Sequence, residues 1–322
     1  MLFISVTPIR LWYSFAYGLY FLSLGLLLLT AVCGHIGMGA QRWIRLAFIQ
    51  FQPSELMRIS LILGLARIFH DAPLVDSFDI QNPSAPSFLQ KLILPSFFVA
   101  LPVLLTLEQP DLGTALLLLL SGGVLFFFAE VPWTFFASLA VLFSAALPFF
   151  WNFLLDYQKK RILTFFNPER DPLGSGYHII QSKIAIGSGG FWGKGFLHGT
   201  QGALDFLPEK HTDFIFTLLS EEFGFLGVLV LLILYGLLIF FNMTLAFQAR
   251  NTFRRLLILG MSLSFAFYAL INIGMVVGVL PVVGIPLPLI SYGGTSMVTL
   301  LISQGLIFSA AFYRTRWRKW TD

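Results

Sequence analysis

The residues best able to do chemistry in this chain cluster in Glu209-Lys210-His211-Thr212-Asp213, just ahead of a long apolar run. Charged side chains at the edge of an apolar span are costly unless they are solvated, paired or used. Asp213 is the candidate reaction centre. One reading makes it a general base that takes a proton from a hydroxyl. The other makes it, or Thr212, a cap on the helix that follows. Helical spacing from Asp213 puts Thr217, Ser220 and Gly224 on one face, with Glu221 close by. A polar stripe is therefore expected to run from the carboxylate into the protein. Glu221 and Glu222 suit pairing or snorkelling near an interface equally well.

Other candidates lie upstream. Arg42-Trp43 could hold a sugar phosphate, with the indole face against the sugar; tryptophan also commonly marks a membrane interface. In Glu108-Gln109-Pro110-Asp111-Leu112-Gly113-Thr114, Glu108 and Asp111 are candidate substrate contacts, while Asp111 also reads as the cap of the next helix. Lys159, Lys160, Arg161, Lys183, Lys194 and Lys210 are cations in the same long segment. Beside a carboxylate, Arg161, Lys183 and Lys210 suit a pyrophosphate leaving group; a solvated surface would use them too. Gly187-Ser188-Gly189-Gly190 matches no nucleotide-binding pattern. Cys33 is the only cysteine, so no internal disulfide forms, and no zinc spacing exists.

These residues sit in an apolar scaffold. Of 322 residues, 57% are hydrophobic and 11% charged, where a soluble domain carries roughly 25% charged. The composition defines an all-α polytopic membrane protein. The net charge of +4 comes from loops between apolar runs, so nucleic acid is not the expected partner. Eight runs are long enough to span: 11–34, 54–70, 90–108, 112–129, 132–155, 223–247, 255–279 and 294–313. The first is too long for a cleaved leader. The second carries Glu55, Arg58 and Arg67, and reads either as a span that turns them toward protein or as an interfacial helix. Arg314, Arg316, Arg318 and Lys319 put the C-terminus in the cytoplasm, and an even span count puts the N-terminus there too. The 35–53 loop, the 108–112 turn, the 156–212 segment and the 280–293 loop then fall outside. The 156–212 segment reads as a partly ordered cap. The 280–294 stretch is apolar yet dense in Pro and Gly, so it reads as a re-entrant or cavity-lining loop, or as a plain surface loop.

Several stretches resemble one family in order. They are Gly39-Ala40-Gln41-Arg42-Trp43, Phe51-Gln52-Pro53-Ser54-Glu55, Gln109-Pro110-Asp111-Leu112-Gly113-Thr114, Gly176-Tyr177-His178-Ile179-Ile180-Gln181-Ser182, Gly193-Lys194-Gly195, His211-Thr212-Asp213-Phe214 and Pro286-Leu287-Pro288-Leu289-Ile290-Ser291-Tyr292-Gly293-Gly294. Together they resemble the SEDS proteins (shape, elongation, division, sporulation), closest to the rod-shape branch. The resemblance implies one transmembrane domain over 1–322 and an inverting peptidoglycan glycosyltransferase. Such an enzyme polymerises lipid II on the outer face of the bacterial inner membrane during elongation. It implies Asp213 as the essential external carboxylate and Trp43 as functionally required. It also implies a class B penicillin-binding protein and the elongation machinery as partners. No cofactor is required by the sequence; a divalent cation could share the phosphate charge. Family members have ten spans, and this chain begins where the second would end, so eight are expected. Rival readings are a lipid II flippase, with a polar path supplied by the Glu55/Arg58 helix and the broken 280–294 stretch, and an inactive scaffold for the transpeptidase.

Overall fold

The computed structural model describes residues 1–37, 40–46, 49–72, 88–153, 156–167, 169, 174–200 and 211–312. Among them are eleven helices: α1 (Leu2–Ser5), α2 (Ile9–Cys33), α3 (Pro53–Asp71), α4 (Phe88–Glu108), α5 (Leu112–Phe128), α6 (Trp133–Phe153), α7 (Asp156–Phe166), α8 (Ser175–Gly189), α9 (Ile215–Gln248), α10 (Thr252–Val277) and α11 (Gly294–Phe312). Each of the eight expected spans falls on a helix. Five helical stretches are long and apolar enough to cross a membrane, namely Ile9–Cys33, Lys91–Glu108, Ile215–Gln248, Thr252–Val277 and Gly294–Phe312. Leu112–Phe128 and Trp133–Ala146 are apolar but shorter. The protein is a multi-pass helical membrane protein. It divides into two compact units, Met1–Val131 with Leu238–Phe267 and Gly294–Asp322, and Pro132–Leu237 with Tyr268–Gly293.

The first unit is built around α3, whose side chains are buried from Pro53 through Ser60 to Ala66 with only Leu56-side exceptions left half-open. An interfacial helix would leave one face open, and α3 leaves none. Its charges are satisfied internally. Arg58 donates to Glu55 at 3.3 Å and to the Ser264 hydroxyl at 3.0 Å, and Thr299 donates to the same Glu55 oxygen at 3.0 Å. A buried pair of this kind is stable only when hydrogen bonds take up its remaining valences. The stretch between α2 and α3 holds a sheet in the order β1-β2-β3 (His35–Gly37, Ala40–Leu46, Ile49–Phe51), antiparallel throughout. The sequence reading has only a loop there.

The second unit is organised by two breaks in its helices. In α9, Gly224 adopts φ 63 and ψ −160, outside helical geometry. The loop after α8 fills the gap. Lys194 and Gly195 amides donate to the carbonyls of Glu221 and Glu222, each at 3.0 Å, while Phe225 and Leu226 amides donate to Gly190 and Phe191 carbonyls at 2.9 and 3.2 Å. Two backbones this close leave no room for side chains: a Cβ on Gly193, where φ is +80, would stand 2.1 Å from the Glu222 oxygen. Close approach and positive φ both select glycine. This accounts for Gly189 and Gly193 without a nucleotide. The second break follows α10, where residues 279–293 form no helix, with Gly278 at φ 79 and Gly284 at φ 72. Val283, Ile285 and Leu287 are buried, so this is a folded-in loop rather than a plain surface one. The 156–212 segment contributes α7 and α8, which its mixed composition conceals.

Gly193→Ala should cost about 2–3 kcal/mol through strain and overpacking, read as a lower melting temperature in detergent. Gly187→Ala, with open space at its Cβ position, should leave melting unchanged or slightly raised.

Candidate functional site

In the second unit, Asp213 lies in the 211–214 turn that leads into α9 and is half-buried. The turn is held from two sides. Asn272, in α10, donates its amide to the Asp213 carbonyl at 2.9 Å and to the Ile285 carbonyl at 2.7 Å. Ser291 donates to the Thr212 carbonyl at 2.6 Å and accepts from the Leu287 amide at 2.7 Å. The Tyr292 amide donates to His211 at 2.9 Å, and Tyr235 donates to the Pro288 carbonyl. The irregular loop and the aspartate turn therefore fix one another. Gly284 matters here: a Cβ on it would stand 3.3 Å from an Asp213 carboxylate oxygen, so the carboxylate lies over bare backbone.

The polar stripe expected below Asp213 is not an open one. Thr217 and Ser220 are buried. Thr217 meets the Ser182 hydroxyl at 2.8 Å, Ser182 also donates to the Val276 carbonyl at 2.9 Å, and Ser220 donates to Phe216 at 2.7 Å. The Ser182 and Thr217 hydroxyls bind α8, α9 and α10 together, while that of Ser220 stays within α9. Glu221 is fully buried and accepts from Lys194 at 2.7 Å and from the Thr200 amide at 2.8 Å. Lys194 is thus the counter-ion of a buried glutamate, with its own side chain 28% exposed.

Lys183 follows Ser182 on α8 and is exposed. Its stem crosses Gly278, where a Cβ would stand 2.2 Å from the lysine Cε. Among the described residues its ammonium has no ion-pair or hydrogen-bond partner. Arg161 sits half-buried on α7, and Lys210 lies outside the described residues. His178 packs its ring against Phe214, with centroids 6.2 Å apart. Sequence reasoning passed over Asn272, Ser291 and Ser182. An asparagine inside an apolar span was the readable signal, since such groups are expensive there unless used.

In the first unit, Asp111 is 2% exposed and its carboxylate is taken up locally. It accepts from the Thr114 amide at 3.2 Å and the Thr114 hydroxyl at 2.8 Å, capping α5, and from Gln52 at 3.2 Å. Arg42 stands 3.6 Å away and is 18% exposed. Asp111 thus positions Arg42 rather than offering its own carboxylate to a ligand. Trp43 is half-buried on β2, opposite His35, and Glu108 is exposed at the end of α4. Among the described residues no group of three or more His, Cys, Asp or Glu side chains could hold a metal ion.

Fold and site define a multi-pass membrane protein that holds a half-buried carboxylate over an irregular buried loop, with an exposed lysine on α8. Residues 1–316 match the family of FtsW, RodA and SpoVE, described as cell cycle proteins, and the chain belongs to that family. It is 44% identical over 315 residues to the peptidoglycan glycosyltransferase MrdB of Escherichia coli K12, covering 98% of this chain and 82% of that protein. It is 39% identical over 305 residues to the probable peptidoglycan glycosyltransferase FtsW of Trichlorobacter lovleyi, covering 93% and 76%. Its fold matches the crystal structure of RodA from Thermus thermophilus with a TM-score of 0.69 at 31% identity, over 98% of this chain and 83% of that one. A chain from a peptidoglycan synthase complex, solved for the structural coordination of polymerization and crosslinking, matches with a TM-score of 0.82 at 35% identity, over 98% and 86%.

Asn272→Leu removes both amide bonds at similar volume and leaves two carbonyls unmet, at about 1–3 kcal/mol each. Thermal denaturation in detergent should shift down clearly, with Asn272→Asp shifting less because one oxygen can carry a proton. An unmoved midpoint for the leucine variant would mean that the turn is held by something else.

Proposed function

We propose that this chain is a peptidoglycan glycosyltransferase that polymerises lipid II at the outer face of the inner membrane. The observation that carries the reading is the half-exposed Asp213 carboxylate laid over Gly284 and fixed through Asn272 and Ser291. A sugar hydroxyl of the acceptor attacks the anomeric carbon of the donor. Its proton passes to Asp213 as the new C–O bond forms, and the bond to pyrophosphate breaks with its electron pair leaving on the lipid-linked phosphate. A base on one face and a leaving group on the other invert the anomeric centre. Lys183 is the counter-charge for the pyrophosphate, helped by Arg161 and Lys210, and a divalent cation carried in on the phosphates is a further source of neutralisation. Arg42, fixed by Asp111, is the phosphate contact of the first unit, Trp43 offers a ring face to a sugar, and Glu108 an exposed carboxylate to polar groups. A penicillin-binding protein that crosslinks the product is the partner this reading entails, within the elongation machinery.

The flippase alternative drew its polar path from the broken 280–294 stretch together with the helix that carries Glu55 and Arg58. Both are buried and bonded to each other, to Ser264 and to Thr299, which argues against it. The scaffold alternative is separated by activity. Wild-type protein, purified with its transpeptidase and given lipid II, should make glycan chains. Asp213→Asn should reduce that rate by about 10²–10⁴-fold, the usual worth of a positioned general base. Lys183→Ala should lower kcat more than it raises KM, because the leaving-group charge develops in the transition state. Chain synthesis by Asp213→Asn at the wild-type rate would remove the base from this site, and no synthesis by the wild-type complex would leave the scaffold.

A further inference from the structure

The loop from Phe191 to Leu197 presents an apolar face that the glycosyl transfer does not use. Phe191 is 54% exposed, Trp192 75%, Phe196 65% and Leu197 75%. Exposure of four large apolar side chains on one short loop calls for a partner. The only ammonium on the loop is neutralised, since Lys194 bonds to fully buried Glu221 at 2.7 Å. The imidazole Nδ1 of His198 is engaged by the Phe196 carbonyl at 2.9 Å. What remains outward and unpaired is apolar, three aromatic rings and Leu197.

This surface continues onto a lipid-facing helix. Phe191 packs on Phe225 with centroids 5.7 Å apart, and Phe196 on Phe223 at 6.1 Å. Beyond them Leu226, Leu229, Val230, Ile233 and Leu234 are exposed along an apolar helix long enough to span. The part of α9 from Phe225 to Gln248, at about 1.5 Å per residue, by itself covers a hydrocarbon core of about 30 Å. The edge of that core therefore falls at the Gly224 break. The loop is bonded to the helix on both sides of this break, through Glu221, Glu222, Phe225 and Leu226. Its height is thus that of the boundary between headgroups and acyl chains, where Trp and Phe partition favourably.

We propose that residues 191–197 form a rigid wedge embedded in the bilayer at the headgroup–acyl boundary, and that the Lys194–Glu221 pair makes this insertion permissible by neutralising the one charge the loop carries. The occupant of the aromatic face is lipid.

The test uses the whole protein in vesicles of phosphatidylethanolamine and phosphatidylglycerol. In a Cys33→Ser background, nitroxides are placed at Trp192→Cys, Phe196→Cys, Ile233→Cys as the lipid-facing reference and Glu169→Cys as the water-facing one. Oxygen, which concentrates among acyl chains, and a nickel chelate, which stays in water, compete as collision partners. The oxygen-to-nickel ratio at 192 and 196 should lie several-fold above that at 169 and approach that at 233. Ratios equal to that at 169 would overturn the proposal, and so would exclusion of both reagents, which would mean a protein partner covers the face. As a check that needs no label, brominated acyl chains should quench intact protein more than Trp192→Phe; equal quenching would also overturn it.

Discussion

Unbonded backbone is the constraint on which the rest of this structure depends. Away from water, every amide and carbonyl released by a broken helix must find a new partner. The second unit breaks its helices twice, at Gly224 and over 279–293, and closes both gaps within itself. At Gly224 the partner is another backbone, the 190–195 stretch, which approaches so closely that glycine is required on both sides. At the second break the partners are side chains: Asn272, Ser291 and Tyr235. Asp213 gains its position from the second closure, because the amide that holds Ile285 also holds the Asp213 carbonyl. The main chain of the turn is fixed from both sides, and that holds the carboxylate over the bare backbone of Gly284.

The same economy governs charge. Glu55 with Arg58, Asp111 with Arg42 and Glu221 with Lys194 are each taken up by a nearby partner of opposite sign. Such pairs add little net stability once desolvation is counted. Their effect is to make particular geometries the only ones in which no charge is stranded. Asp111 orients Arg42, and Glu221 pins the loop that carries Lys194. Among the described residues, Lys183 and Glu108 are charges left exposed without such a partner, so ligand charge falls to groups like these.

The spans were legible because runs of apolar residues of that length have few other uses. The start of α9 was not. Hydropathy placed it at 223, but the helix begins at Ile215, because its first turns carry Thr217, Ser220, Glu221 and Glu222. Those residues look like an exterior, yet Thr217, Ser220 and Glu221 are buried and Glu222 is half-buried. Asp111 as a cap was readable from local chemistry, since Asp followed three residues later by Thr satisfies a helix start by itself. The three-stranded sheet was not, being too short for alternation to stand out. Asn272, Ser291 and Ser182 could be flagged as polar residues in apolar surroundings, but their partners are set by tertiary packing that no spacing rule supplies.

The account rests on a carboxylate that reaches the outer aqueous face and meets a lipid-carried sugar there. The most direct measurement replaces it with a thiol, Asp213→Cys in the Cys33→Ser background, and follows its reaction with a membrane-impermeant maleimide applied to intact spheroplasts. The account predicts labelling from outside without opening the membrane, slowed when lipid II is supplied. Labelling only after the membrane is breached, or at a rate that lipid II leaves unchanged, would contradict it.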